Sequence, residues 1–498
     1  MTTLGGGNKY TEGSARAIVR APAPKGWPGK QGTYASRKKI YPKRASGLFR
    51  DVKWAVMAIT LAIYYILPWI RWERGPGLPN QAFLLDFTSQ RLLFGPVEIW
   101  AQEFYYVTGA LVLAALSLFL VTSIAGRMWC GYACPQTVWT NLMIAVERFW
   151  QGDRNSRMRL DQQKWTIEKV AKKFATHGSW LVIALLTGGA FVFYFRDAPT
   201  LAAELVTGTA PTVAYVFLAL FTGTTYLLGG IAREQVCIYM CPWPRIQGAM
   251  LDRDSLFISY RDLRGEPRGA HKRNETWDGR GDCIDCKACV AVCPTGIDIR
   301  DGPQLECIQC ALCIDACNDV MGKIGRPRDL IAYTTVKNLE TATSGPRDGW
   351  RILRSRTILY SALIALVGGL MLWSLLNRAD AQVSIAPDRN PLFVVLSDGS
   401  IRNGYTIKIV NRLEAVRHFR LGISGLAGVK LQIAEFESAD PVIDVAPAEV
   451  RPLKLFVTLD SRERAKLKGD SMLLTITTTD IESGRSTSRV ATFSGPAR

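Results

Sequence analysis

Cysteines are the residues of this chain whose spacing could support chemistry. Eight of the twelve lie between Cys283 and Cys317 and form two runs with the spacing C-x2-C-x2-C-x3-C. Bacterial ferredoxins bind [4Fe–4S] clusters with such runs, and the fourth cysteine of each run ligates the other cluster. The spacing therefore predicts two clusters. The predicted ligands are Cys283, Cys286, Cys289 and Cys317 at the first cluster site, and Cys307, Cys310, Cys313 and Cys293 at the second.

Structural zinc is the alternative for these runs, because C-x2-C pairs also build zinc sites. Eight cysteines in two runs of four fit zinc poorly, so the cluster interpretation is preferred. The second run departs from the ferredoxin pattern at one point, where Asn318 stands in place of proline after the last cysteine. That difference concerns the turn that leaves the site more than the ligation itself.

The other four cysteines belong to a repeat. The segment "IAGRMWCGYACP" (124–135) aligns without gaps on "IAREQVCIYMCP" (231–242), and both read I-A-x4-C-x-Y-x-C-P. Proline is favoured in the first turn of a helix, so Pro135 is predicted to begin a helix over 135–150. Cys134 would then lie at a helix N-terminus, where the pKa of a thiol is lowered. We call Cys130, Cys134, Cys237 and Cys241 the C-P thiols.

The C-P thiols are predicted to form a soft, sulfur-rich site, with Met128 and Met240 nearby in sequence. Thiolate and thioether ligands select Cu(I) among physiological metals. The prediction is therefore a catalytic, metal-binding copper site made of these four cysteines. Zinc, a third cluster and a dithiol/disulfide switch remain open, as does a structural role as small buried residues.

Five apolar segments could cross a membrane as helices, which need about 20 apolar residues for a core of about 30 Å. They lie near residues 54–70, 104–126, 178–195, 211–232 and 357–376. Lys and Arg number 12, 9 and 19 in the segments on one side and only 3 and 1 in the two opposite loops (71–103 and 196–210). The positive-inside rule then predicts a cytoplasmic N-terminus and a periplasmic C-terminus.

The net charge of +18 has the same explanation. Basic segments on the cytoplasmic side suit anionic membrane lipid, and nucleic-acid binding is not expected. All twelve cysteines lie on the predicted cytoplasmic side, where thiols stay reduced and can bind metal. The three histidines, His177, His271 and His418, lie outside the deep part of any span. Membrane haem held by two histidines is therefore excluded.

The predicted fold is a multi-domain membrane protein. A disordered basic arm (1–51) precedes a four-span helical bundle (52–232) and a cytoplasmic α+β ferredoxin domain (233–350). The fifth span (357–376) leads to an external domain (380–498). Short runs of alternating polarity, such as "YTIKIV" and "LKLFVTL", predict an immunoglobulin-like β-sandwich there.

Taken together, these features resemble the cytochrome c oxidase accessory protein family CcoG, also called FixG or RdxA. The resemblance extends from about residue 35 to the C-terminus and includes "LLDFTSQRLLFG" (84–95) and "DVMGKIGRPRDLIAYTT" (319–335). It is also carried by both C-P motifs and both cysteine runs.

The resemblance implies a cupric reductase that matures the copper centre of cbb-type cytochrome c oxidase. It further implies copper as substrate or bound ion, and oxidase assembly components and a copper transporter or chaperone as partners. The electron donor is not identified, and a homodimer is left open. The alternatives are a quinol-linked membrane electron relay to a partner reductase, and a non-enzymatic assembly factor or redox sensor.

Overall fold

The computed structural model describes residues 39–74, 79–271, 277, 279–341, 350–378, 381–413, 415–425, 428–436, 441–447, 449–466 and 471–496. Most of the predicted basic arm lies outside the described residues. The chain divides into two compact units, residues 1–371 and 372–498. The predicted fold class is confirmed: membrane-type helices, a ferredoxin-type domain and a β-sandwich are all present.

Five of the described helices are long and apolar enough to span a bilayer. Numbered as spans 1 to 5, they cover Leu48–Trp69, Tyr105–Ala125, Ile167–Val192, Thr212–Ala232 and Ser355–Leu376. The helix of span 3 starts at Ile167, well before the predicted apolar segment. Thr166 caps it by accepting a hydrogen bond from the Lys169 amide at 3.2 Å, so a charged first turn can extend the helix beyond its apolar part.

A small sheet between spans 1 and 2 was not predicted. Its three antiparallel strands are β1 (Phe83–Asp86), β2 (Arg91–Phe94) and β3 (Val97–Trp100). Buried Arg74 donates to the carbonyls of Pro79, Gln81, Ala82 and Gly95. The hydrogen bonds of this one arginine thus hold the loop and the sheet together.

Shorter helices connect the spans. Between spans 2 and 3 lie Met128–Tyr132, Pro135–Gln151 and Arg154–Gln162, and between spans 3 and 4 lies Ala198–Thr207. After span 4 come a π-helical turn at Val236–Met240 and the helix Trp243–Met250. The ferredoxin-type domain follows. Its strands β4 (Phe257–Tyr260) and β5 (Ile331–Thr334) pair antiparallel, and between them lie the helices Ala288–Val292 and Leu312–Lys323.

The second unit is a two-sheet sandwich. One sheet has the order β10–β12–β8–β6 with β7 paired to β8, and the other has the order β11–β9–β13–β14. Alternate side chains of β8 and β12 are buried in the core, as the alternating sequence predicted. The strands are β6 (Ala381–Pro387), β7 (Val394–Val395), β8 (Ile401–Asn411), β9 (Arg417–Ser424), β10 (Val429–Ile433), β11 (Val442–Val445), β12 (Val450–Leu459), β13 (Ser471–Asp480) and β14 (Ser486–Ser494).

Candidate functional site: two cysteine cavities beside a duplicated thiol motif

The structure brings the four cysteines of each predicted set together around a cavity. The first cavity is lined by Cys283, Cys286, Cys289 and Cys317. The second is lined by Cys293, Cys307, Cys310, Cys313 and also Cys289. The last cysteine of each run therefore lines the cavity formed by the other run, which is the crossed arrangement expected of a two-cluster ferredoxin.

Both cysteine loops use the same backbone conformation. The second and fourth residues after the first cysteine of each run have positive φ: 53° at Asp285 and 54° at Lys287 in one loop, and 56° at Gln309 and 60° at Ala311 in the other. A left-handed conformation costs roughly 1–2 kcal/mol for a residue other than glycine. Its recurrence at four matched positions indicates that each loop is shaped to wrap around its cavity.

The donor set of the cavities suits iron–sulfur clusters. Burial raises the pKa of Cys289 to about 11, and that of Cys307 and Cys317 to about 12. It also raises the pKa of Cys293 and Cys313 above the usual value. Buried thiolates are costly without positive charge nearby, and cluster iron supplies that charge. Four thiols around each cavity therefore fit one [4Fe–4S] cluster each.

The two C-P motifs share a backbone geometry that their sequences suggested. Cys134 is the N-cap of the Pro135–Gln151 helix with φ −57° and ψ 129°, and Pro135 is its first residue. Cys241 is also extended, with φ −79° and ψ 122°, just before the Trp243–Met250 helix. Gly126 and Arg233, which are aligned in the repeat, both have positive φ, 62° and 46°. The duplication is therefore structural as well as sequential.

The expectation of a lowered thiol pKa at Cys134 was wrong. Burial raises its pKa, and the backbone amides of Thr137 and Gln136 offset that effect only in part. Burial likewise raises the pKa of Cys130 to about 11 and that of Cys237 to about 12. Removal from water outweighs the helix N-terminus at these partly buried thiols.

The C-P thiols interact across the repeat. Cys130 lies within electrostatic range of Cys134 and Cys241, and Cys237 lies within range of all three others. The Cys130 Sγ also contacts Gln247 Oε1 at 3.3 Å. Among the described residues, no three His, Cys, Asp or Glu side chains already stand close enough to hold one metal ion. A single ion bound here must therefore draw the thiols together.

The first C-P motif packs directly against the loop of the second cluster site. A methyl group at Gly131 would lie 2.8 Å from the Ile308 carbonyl oxygen and 2.9 Å from that of Gln309. Those two residues stand between Cys307 and Cys310 in the chain. Only glycine allows the two backbones to approach so closely. The thiol motif is thus in backbone contact with the loop that carries the predicted cluster ligands Cys307 and Cys310.

Arg127 strengthens this contact. Its side chain is buried and donates to the carbonyls of Leu305, Cys307 and Pro244. Its backbone amide donates to Gln309 Oε1 at 2.6 Å. One residue therefore joins the first C-P motif, the cluster loop and the helix that follows the second C-P motif.

Asp315 joins the ferredoxin-type domain to span 1. It lies between Cys313 and Cys317, and its carboxylate accepts hydrogen bonds from the amides of Phe49 (3.3 Å) and Arg50 (2.8 Å). These are amides of the first turn of span 1, which lack partners within the helix. Sequence reasoning missed both Asp315 and Arg127, since each occupies an unspecified position of its motif and its partners are distant in the chain.

A buried ion network holds the two repeat halves together. Glu147 Oε2 lies 2.9 Å from an Arg157 nitrogen and 3.0 Å from an Arg233 nitrogen, and all three side chains are buried. Burial alone would raise the pKa of Glu147, but the two guanidinium groups hold it below its usual value. Arg233 also stacks over Trp180. This network explains how a residue other than glycine is retained at a positive φ next to the second C-P motif.

Five membrane-type helices and two four-cysteine cavities define a multi-pass membrane protein that carries electrons through iron–sulfur clusters. Family models agree with each part. A "4Fe-4S dicluster domain" matches residues 232–336, a "4Fe-4S binding domain" matches 107–151, and an "IG-like fold at C-terminal of FixG" matches 371–496.

Curated relatives identify the family. The nitrogen fixation protein FixG of Rhizobium meliloti is 51% identical over 457 residues, covering 86% of this chain and 87% of its own. Protein RdxA of Cereibacter sphaeroides is 51% identical over 428 residues, covering 85% and 90% respectively. The chain belongs to the FixG/RdxA family, as the motifs predicted. A solved FixG-related protein from Vibrio parahaemolyticus covers 24% of this chain and 97% of its own, with 24% identity and a TM-score of 0.20.

Proposed function

We propose that this protein reduces Cu(II) to Cu(I) at the C-P thiols, as a step in maturing the copper centre of a cbb-type cytochrome c oxidase. The observation that carries the proposal is the backbone contact between Gly131 and the Ile308–Gln309 segment. It sets a sulfur-rich site directly beside the predicted ligands Cys307 and Cys310. An electron donor site and a soft-metal site in contact are what a metal reductase requires.

The residues of the chain have separable roles in this proposal. When bound, [4Fe–4S] clusters supply electrons singly, which matches the stoichiometry of Cu(II) + e⁻ → Cu(I). The C-P thiols bind copper and, as soft ligands, stabilise Cu(I) over Cu(II), which favours its reduction. Arg127 and Gly131 hold the first motif against the cluster loop.

We place this chemistry on the cytoplasmic side, with the sandwich in the periplasm. The support is the asymmetry of Lys and Arg, with 12, 9 and 19 in the segments on one side against 3 and 1 on the other. The Cu(I) product would pass to a copper transporter or chaperone. A β-sandwich without cysteine suits a role in contacting oxidase assembly components.

An anaerobic mixing experiment tests the proposal. Purified protein is reduced with dithionite, excess reductant is removed, and one equivalent of Cu(II) is added while cluster absorbance and a Cu(I)-specific chelator are followed. Cluster reoxidation should match Cu(I) formation electron for electron. Clusters that stay reduced beside Cu(II) would exclude copper as the acceptor. They would favour a relay to a partner reductase.

Gly131→Ala tests the contact itself. The added methyl group meets two backbone oxygens at 2.8 and 2.9 Å, so the motif must move away from the cluster loop, at a cost of about 1–3 kcal/mol. We expect slower copper-dependent reoxidation with both clusters still bound. Gly223→Ala is the matched control, because its methyl group would meet no atom within 4 Å. Equal rates in both variants would contradict the proposed route.

A further inference from the structure

Lys53 is a buried lysine on span 1 with an unusual environment. Its side chain is only 3% exposed, whereas lysine is almost never fully buried unless it is paired. Among the described residues, no carboxylate lies within ion-pairing distance of its ammonium group. An unpaired buried ammonium is unfavourable, so a compensating negative charge should come from something that the protein binds.

The surroundings of Lys53 indicate where that charge lies. The residue lines a small cavity together with Pro294, Thr295, Ile308 and Cys237. This cavity therefore reaches from the second C-P motif to both loops of the second cluster site. The same side chain interacts electrostatically with the thiols of two predicted ligands of that site, Cys310 and Cys293.

The other charged groups around Lys53 are mostly cations. Arg50 and Arg148 are within electrostatic range. Arg233, which is paired with Glu147, and Glu234 line the same cavity. Buried cations of this kind favour negative charge nearby. A [4Fe–4S] cluster with four cysteine thiolates carries a charge of about −2 when oxidised and about −3 when reduced. Bound in the adjoining cysteine cavity, which is also lined by Pro294, Thr295 and Ile308, it would supply that charge.

The first cluster site has a different electrostatic balance. Two cations line its cavity, Arg300 and Lys287. Arg300 is paired with Asp298 at 2.6 Å and with Asp285 at 2.5 Å, and the Lys287 side chain is exposed to solvent. One of the site's ligands, Cys286, is exposed to solvent, which screens charge. The second site instead faces Lys53 and, beside Cys307, the buried Arg127.

We propose that Lys53 is a positioning residue that makes the second cluster site the more easily reduced of the two, so that electrons collect beside the C-P thiols. One electron converts the oxidised cluster into the reduced cluster, whose extra negative charge a nearby cation stabilises in a low-dielectric interior. Electrons would then pass from the exposed first cluster site to the buried second cluster site. This inference rests on the cluster ligand assignment but not on copper as the acceptor.

Redox titration of the full-length protein with both clusters bound tests the inference. Reduction is followed by electron paramagnetic resonance, without copper, in the unmodified chain and in Lys53→Met. We expect the higher midpoint potential to fall by at least about 59 mV, which is a tenfold change in the equilibrium constant of a one-electron reduction. The lower potential should stay in place. Lys53→Arg, which keeps the charge, should retain the original value.

Two further variants keep the inference falsifiable if Lys53→Met assembles poorly. Cys286→Ser changes one predicted ligand of the first site and should shift only the lower-potential signal; a shift of the higher one would overturn the proposed order. Lys172→Met removes an exposed lysine and should shift neither signal. An unchanged higher potential in Lys53→Met would also overturn the proposal. Because no copper is present, failure here is distinct from failure of cupric reduction.

Discussion

Replacing Cys130 and Cys237 together by serine is expected to lower Cu(II) reduction at least about 100-fold. Losing an outer-shell partner alone typically costs 10- to 100-fold at a metal site, and here one thiol of each repeat is removed. Hydroxyl oxygen is a hard ligand that does not favour Cu(I). The measurement is the initial rate of Cu(I) chelation after mixing dithionite-reduced protein with Cu(II).

The double variant should keep both clusters, because its two sites are outside the predicted ligand sets. Iron content and the absorbance of the oxidised protein check this directly. Met472→Leu is the control, since that thioether packs against the sandwich core of the second unit and its loss should leave the rate unchanged. Reduction at the normal rate by the double variant would mean that copper is reduced at another site.

Glu147→Gln is expected to destabilise the membrane unit by about 3–5 kcal/mol. Removing one partner of a buried ion pair leaves uncompensated charge, and here both Arg157 and Arg233 lose their carboxylate. Because the folded-state pKa of Glu147 is lowered, its contribution to stability is present above its ordinary pKa of about 4.3. That contribution declines as the pH falls through the lower folded value.

Unfolding of the detergent-solubilised protein measures this effect, with a probe of the helical unit. Glu168→Gln is the matched control, because Glu168 pairs with Lys172 on an exposed helix face, where an ion pair contributes little to stability. The unfolding midpoint should also rise with pH less steeply in Glu147→Gln than in the native protein at pH values below about 4.3. Similar stability of the two variants would show that the buried network is not needed.

The sequence predicted those described parts of the fold that depend on a pattern within one short segment. Five apolar segments predicted five spans because a helix must satisfy its own backbone in lipid. The alternation in the last 115 residues predicted a sandwich because strand side chains alternate between faces. The three-stranded sheet of residues 83–100 was missed, since its organising residue is an arginine that satisfies carbonyls along a loop.

At the candidate site, too, the features that depend on local spacing were predicted and those that depend on packing were not. The crossed grouping of eight cysteines, the repeat and the helix that begins at Pro135 were all predicted, because each depends on spacing within a few residues. The pKa of Cys134 was predicted wrongly, because a helix N-terminus is a local effect and burial is not. Cluster ligation and copper binding by the named cysteines stay predictions.

The sequence by itself determined which side chains could bind iron–sulfur clusters and soft metals, and the five span-length apolar helices found among the described residues. Only the tertiary structure decided that Gly131 meets the Ile308–Gln309 backbone, that Asp315 caps span 1, and that Lys53 is buried beside Cys310. These contacts join residues more than 170 positions apart in the chain. Ligand spacing is a property of a short segment, whereas contact, burial and charge balance arise only when distant segments pack together.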